Sequence, residues 1–134
     1  IAQAMARLDE KMSVVSGEKM LAYRAAARKR CLRRRRAWAK RQEHARALAY
    51  QAAALLKEAF GAKRVVLFGS LAHGSLFDMR SDVDLAVWGL DGSKYYRAVS
   101  CLLDLDPTIE IDLVMAEEVS PGLLAVIKQE GEPL

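Results

Sequence analysis

Three carboxylates set in two apolar runs are the residues best able to do chemistry. Asp82 and Asp84 open the run DVDLAVW, and Asp112 lies inside TIEIDLVM. In an extended strand, residues two apart share a face. Asp82 and Asp84 therefore project together, away from Val83 and Leu85. By the same alternation Glu110 and Asp112 share a face, opposite Ile109, Ile111 and Leu113. Neither run contains a lysine or arginine. If the two strands are neighbours, the carboxylates crowd one patch. Two like charges about 4 Å apart repel by ~4 kcal/mol at an effective dielectric of 20. Such a cluster calls for a cation or for raised pKa values. An oxygen-only ligand set favours Mg²⁺, with Mn²⁺ as the alternative.

A second element lies just upstream. Gly69 and Ser70 close the apolar run RVVLF and precede a short segment, LAH, suited to a helical turn. A glycine lets backbone N–H groups approach a phosphate closely, and a helix N-terminus favours the anion. For any single aspartate, a turn or solvent-facing role is the plainer reading. The combination of a phosphate cradle with an acidic cation site points instead to metal-assisted phosphoryl chemistry on a nucleotide.

The elements that must position these residues follow from the sequence pattern. From Glu18 to Phe60 there is neither proline nor glycine, and strong helix formers dominate. Ser16 and Gly17 are plausible start signals, and Gly61 sits where a C-terminal glycine belongs. The reading is one long helix, or two with a bend. A stripe stepped by fours and threes is clean at Ala45, Leu48, Ala52, Leu55 and Ala59, and is broken by arginines before Ala45. The last turns are therefore expected to pack on the domain, and the earlier turns to project or dock on another chain.

After Gly61 come the strands RVVLF, DVDLAVW and TIEIDLVM. SLFDMRS reads as loop. Ser93 is read as the N-cap of a helix ending near Leu103. Ser120-Pro121 opens a last helix that runs to about Glu130 and stops at Gly131. The expected fold is α/β: a small mixed sheet with its helices packed on one side, preceded by a long N-terminal helix. The expected division is residues 1–60 as a basic helical extension and 61–134 as the catalytic domain.

Charge divides the same way. Residues 1–60 carry 15 Lys/Arg against 5 Asp/Glu, while the rest of the 134-residue chain carries 6 against 12. For the run CLRRRRAWAKR the plainest reading is a solvated helix whose arginine stems cover apolar surface. An acidic partner ranks next, and RNA or DNA third. Trp38 reads as an anchor in a helix interface. The same extension is a candidate surface for homo-oligomerisation. Cys31 and Cys101 lack metal-ligand spacing and read as reduced thiols. No apolar stretch approaches the ~20 residues of a membrane span, and no signal peptide is visible. The expected location is cytoplasmic.

The residues Phe68-Gly69-Ser70, Ala72, Gly74 and Ser81-Asp82-Val83-Asp84-Leu85, with the acidic strand IEIDLV, resemble those of minimal nucleotidyltransferases of the polymerase-β superfamily. The resemblance covers roughly residues 60 to 132. Two departures stand out. The eleven residues from Leu71 to Ser81 are one more than the family usually places there, and His73 holds the position where arginine is usual before Gly74.

The resemblance implies roles. Gly69 and Ser70 would hold the β- and γ-phosphates of ATP. Asp82 and Asp84 would ligate two Mg²⁺ ions, and Asp112 would complete the catalytic metal and help activate the attacking hydroxyl. Glu110 is a reserve candidate, and His73 is read first as a loop-packing residue. Small stand-alone members resemble antitoxins paired with a HEPN-domain toxin, whose tyrosine hydroxyl receives AMP. The resemblance thus implies an Mg²⁺-dependent adenylyltransferase acting on a protein partner. The rival readings are a non-catalytic nucleotide- or partner-binding module, and transfer to RNA or a small hydroxylated molecule.

Overall fold

The computed structural model describes residues 2–73 and 82–134, with side chains from residue 17 onward except that of His73. In chain order the elements are α1 (Ala2–Phe60), β1 (Arg64–Phe68), α2 (Ser70–His73), β2 (Val83–Trp88), α3 (Tyr95–Leu103), β3 (Ile111–Met115), α4 (Pro121–Glu130) and β4 (Glu132–Pro133). The loop expected over residues 75–81 lies outside the described residues, as do Gly74 and Ser81 of the motif. Two compact units result, Ile1–Ala37 and Trp38–Leu134.

The first unit is helical. Here α1 begins at Ala2 and passes through Gly17, so Ser16 and Gly17 do not start it. A methyl built on Gly17 would meet nothing within 4 Å, so that glycine serves no close packing contact. Its cost in a helix is about 1 kcal/mol relative to alanine, which a long run of good helix formers absorbs.

The second unit is built on a four-stranded sheet of order β3-β2-β1-β4. The pairs β1–β2 and β1–β4 are antiparallel, and β2–β3 is parallel. Alternation gives the sheet two buried faces. On one face Val65, Leu67, Leu85 and Val87 pack with the last turns of α1 and with Ala98 and Leu102 of α3. Leu56 of α1 is fully buried there. Truncating such a leucine to alanine typically costs about 2–5 kcal/mol.

The buried stripe of α1 is Ala45, Leu48, Ala49, Ala52, Ala53, Leu56 and Phe60. The expected stripe holds as far as Ala52 and then drifts, because Leu55 is only half-buried and Ala59 is exposed. A strict four-three step advances 3.5 residues per turn, whereas a helix turns every 3.6. Gly61, with φ of +72°, ends α1 in the left-handed region as expected. Beyond it the Ala62 N–H donates to the Leu56 carbonyl at 3.0 Å.

The helices are expected on one side of the sheet, and α4 departs from that detail. It covers the opposite face, where Ile127 packs on Val66 and Ala86. The physical reason is visible in β1 and β2. Val66 and Ala86 are buried although their neighbours in sequence face the other way, so the second face also needs a cover. Ser120 caps α4 as expected, its Oγ accepting the Leu123 N–H at 3.3 Å. At α3 the cap differs. Lys94, not Ser93, holds the N-cap position of α3 and makes no side-chain cap bond, while Asp91 caps the short 3₁₀ turn Gly92–Lys94 that leads into it, its Oδ1 accepting the Ser93 N–H at 3.0 Å.

Candidate active site

The end of β1 and the starts of β2 and β3 lie side by side, and the acidic residues gather there. Phe68 is the register partner of Asp84 in the antiparallel pair. Asp84 is the register partner of Asp112 in the parallel pair. Both carboxylates extend from the α4 face, because their neighbours Val83, Leu85, Ile111 and Leu113 are buried in the other core layer. Asp82 immediately precedes β2, and its carboxyl lies near enough to Asp112 to raise it. The structure therefore brings Asp82, Asp84 and Asp112 together.

Electrostatics record that proximity. Burial is the largest cause that lifts the Asp84 carboxyl from 3.8 to about 6, followed by repulsion from Asp112 and then Asp82. Asp112 is also raised, first by burial, then by the charge of Asp82 and by its hydrogen bond to that residue. Among the described residues no lysine or arginine is ion-paired with any of the three. No three acidic, histidine or cysteine groups among the described residues converge tightly enough to form a ready-made cation cage. The donor set nevertheless fits a hard cation. Three carboxylates crowd the end of a sheet, and a divalent ion would relieve the repulsion that adds to burial in raising Asp84 and Asp112.

Gly69 and Ser70 flank this patch. Gly69 has φ of +77°, in the left-handed region. A methyl at Gly69 would lie 3.2 Å from Asp84 Cγ and closer still to its Oδ2, so the glycine is required by both conformation and space. Ser70 begins α2 and is half-buried. Arg46 of α1 reaches this turn, with Nη2 donating to the Leu71 carbonyl at 3.3 Å and Nη1 donating to Glu132 Oε2 of β4 at 2.8 Å.

Beside the carboxylates lies an open cleft of about 480 Å³, lined by Phe68, Asp84, Asp112, Tyr95 and Leu123 among others. Glu110 also lines it, yet it is exposed and precedes β3. Tyr95 donates its hydroxyl to the Leu113 carbonyl at 2.7 Å, fixing α3 against β3 at the cleft wall. Tyr95, Leu123 and Arg46 carried no sequence signal, because only the fold brings α3, α4 and α1 to this corner. A further network holds the turn before β3. Asp106 Oδ1 accepts both the Thr108 N–H (2.8 Å) and the Thr108 hydroxyl (2.6 Å), and its Oδ2 meets His44 Nε2. Arg41 Nη2 donates to the Thr108 carbonyl at 3.3 Å. His44 is thus a structural contact of α1.

A mixed sheet with a glycine turn at one strand end and carboxylates on the two neighbouring strands defines a nucleotidyltransferase-like α/β protein. The chain belongs to the polymerase beta nucleotidyltransferase family, which its residues 51–134 match. Among solved structures it is similar to a chain described as a minimal nucleotidyltransferase, at 30% identity and a TM-score of 0.58, covering 69% of this chain and 95% of that one. It also shares its fold with an MntA–HpeT toxin–antitoxin mutant, at 22% identity and a TM-score of 0.50, covering 59% of this chain and 65% of that one. A toxin–antitoxin structure containing AMP-PNP matches at 23% identity with a TM-score of 0.51, covering 62% and 69% of the two chains. The chain thus spans just under two thirds of the length of the first of these toxin–antitoxin chains. No curated protein matches. Among the described residues no helix is long and apolar enough to cross a membrane.

Proposed function

We propose that the protein is an Mg²⁺-dependent nucleotidyltransferase that moves AMP from ATP to a hydroxyl on a partner protein. The observation that carries this reading is the clustering of Asp82, Asp84 and Asp112 beside the Gly69 turn. In this reading Gly69 and Ser70 present backbone N–H groups and a hydroxyl to the β- and γ-phosphates. Asp82, Asp84 and Asp112 would hold the metal, with Mn²⁺ as the alternative ion. When bound, the metal supplies charge neutralisation at the phosphates. Asp112, the register partner of Asp84, accepts the proton of the attacking hydroxyl. The new bond joins the acceptor oxygen to the α-phosphorus, and the bond from that phosphorus to the bridging oxygen breaks. Pyrophosphate leaves with the bonding electrons.

A protein acceptor is supported by likeness of fold to the toxin–antitoxin structures. A HEPN-type toxin is the partner proposed. Residues 61–134 would carry the chemistry, and residues 1–60 would form the basic extension. The cytoplasm is the proposed location.

The test is transfer of label from α-labelled ATP, with Mg²⁺, to the natural partner protein, to RNA and to small hydroxylated molecules in parallel. Label on the protein partner alone supports the reading. Tight ATP binding with no labelled acceptor of any kind would favour a nucleotide-binding module instead.

A further inference from the structure

The helix of the first unit carries a charge array that the transferase site does not use. Residues 19–37 contain nine cations and no acid: Lys19, Lys29 and seven arginines, four of them consecutive at Arg33–Arg36. All nine are exposed. Among the described residues none of the nine is ion-paired. At about 1.5 Å of rise per residue these cations follow one another about every 3 Å along the helix axis. That is close to the ~3.4 Å of duplex axis per phosphate on one strand of a nucleic acid.

The array is mostly arginine, whose planar fork fits phosphate in two-point contacts. It also holds an exposed aromatic ring. Tyr23 is 63% exposed, and the Arg30 guanidinium stands 5.7 Å from its centroid.

Two observations separate a nucleic acid from an acidic protein as the occupant. At 100° per residue the cations spread around the whole helix, with Arg33–Arg36 alone covering most of a turn. A protein partner meets one face of a helix, whereas a flexible strand can follow positive charge around it. The exposed apolar side chains also fall on two sides of the helix, Met20 with Tyr23 and Leu21 with Leu32, and form no single stripe for helix packing. Self-pairing through this segment would bring two such acid-free arrays together against their repulsion.

We infer that residues 19–37 bind a nucleic acid strand through its phosphates, with little dependence on sequence. The site is separate from the transferase cleft and does not rest on the proposed reaction.

The test is fluorescence anisotropy of the full chain with a labelled 20-nucleotide single-stranded RNA, the matching RNA duplex and a DNA duplex, each titrated over a range of salt. Binding is expected to weaken steeply as salt rises, since each phosphate contact releases a counterion. Replacing Arg33, Arg34, Arg35 and Arg36 by glutamine should weaken binding at least tenfold at low salt. It should also flatten the slope of log affinity against log salt by about 2 or more. Circular dichroism should show unchanged helix, since glutamine is a good helix former. Asp84→Asn should bind like wild type. The three nucleic acid arms assign the source, and binding to any of them with these properties supports the inference. It is overturned by no binding at low salt to any of the three, or by binding that the quadruple variant keeps. Loss of binding in Asp84→Asn overturns it as well, by placing the nucleic acid in the cleft. Tighter binding to poly-glutamate than to every nucleic acid would assign the surface to an acidic protein.

Discussion

Asp84 stands directly opposite Asp112 across the parallel pair β2–β3, with Asp82 close enough to repel both. The fold thus holds like charges together at a sheet end, an arrangement from which a dependence on pH and on divalent metal is expected.

The metal-free protein should be stabilised by Asp84→Asn near pH 7.5. The carboxyl of Asp84 is raised from 3.8 to about 6 in the fold. A raised carboxyl contributes stability that is fully present below the unfolded value and is lost as pH rises through the folded one. Wild type should therefore lose stability between pH 4 and 7 relative to the variant. The full shift corresponds to ~3 kcal/mol, and the half-exposed position of Asp84 reduces the expected gain to about 1 kcal/mol. Mg²⁺ should raise the Tm of wild type above pH 6 and do little for Asp84→Asn. Equal metal responses from the two proteins would contradict a cation site here.

Gly69→Ala should be far more damaging than its single methyl suggests. The residue has φ of +77°, and the methyl would crowd the Asp84 carboxylate. The strained backbone costs about 1–2 kcal/mol of stability. ATP affinity, read by calorimetry, should fall at least tenfold. Ser70→Ala should be milder, because the backbone N–H groups persist.

Arg46 ties the carbonyl of Leu71 in the Gly-Ser turn to Glu132 of β4. Both Arg46 and Glu132 are about one third exposed, so the ion pair itself is worth about 1 kcal/mol or less. Arg46→Met, which keeps the stem packed, should cost little in Tm but raise the KM for ATP several-fold by loosening the turn. An unchanged KM would show that the turn holds its place without this tether.

These contrasts explain what the sequence could disclose. Asp82, Asp84 and Asp112 were legible because a carboxylate inside a β-branched run is conspicuous, and strand alternation assigns it a face. The positive φ of Gly69 was foreseeable from its place after a buried strand. Arg46 and Tyr95 were not legible, since ordinary residues on helices become site neighbours only through tertiary packing. β4 escaped notice because two residues, Glu132 and Pro133, carry no pattern, and the pairing of Val66 with Pro133 and Leu67 with Glu132 defines it. The position of α4 on the second face was written in Val66 and Ala86, which belong to unbroken apolar runs rather than to alternating ones.

The acid arm of the stability profile should carry a second signature. Asp106 is lowered from 3.8 to about 2, first by its hydrogen bonds to Thr108 and then by His44. A lowered carboxyl contributes stability that is present above the unfolded value and is lost as pH falls through the folded one. Asp106→Asn should therefore reduce Tm at pH 7, with the deficit vanishing below about pH 2. A deficit that persists unchanged at the lowest pH would assign the effect to lost packing instead.

The most direct measurement is transfer of label from α-labelled ATP to the natural partner protein, in Mg²⁺, by wild type, Asp84→Ala and Asp112→Ala. ATP binding is measured alongside, so that a missing acceptor is not mistaken for an inactive site. The account predicts labelled partner and released pyrophosphate with wild type. It predicts a loss of at least 1000-fold in both variants, as expected when charge stabilisation of ~4 kcal/mol is removed from the reacting phosphate. Transfer that survives Asp84→Ala at a rate within tenfold of wild type would contradict it, because the carboxylates facing each other across β2 and β3 would then not be the site of the chemistry.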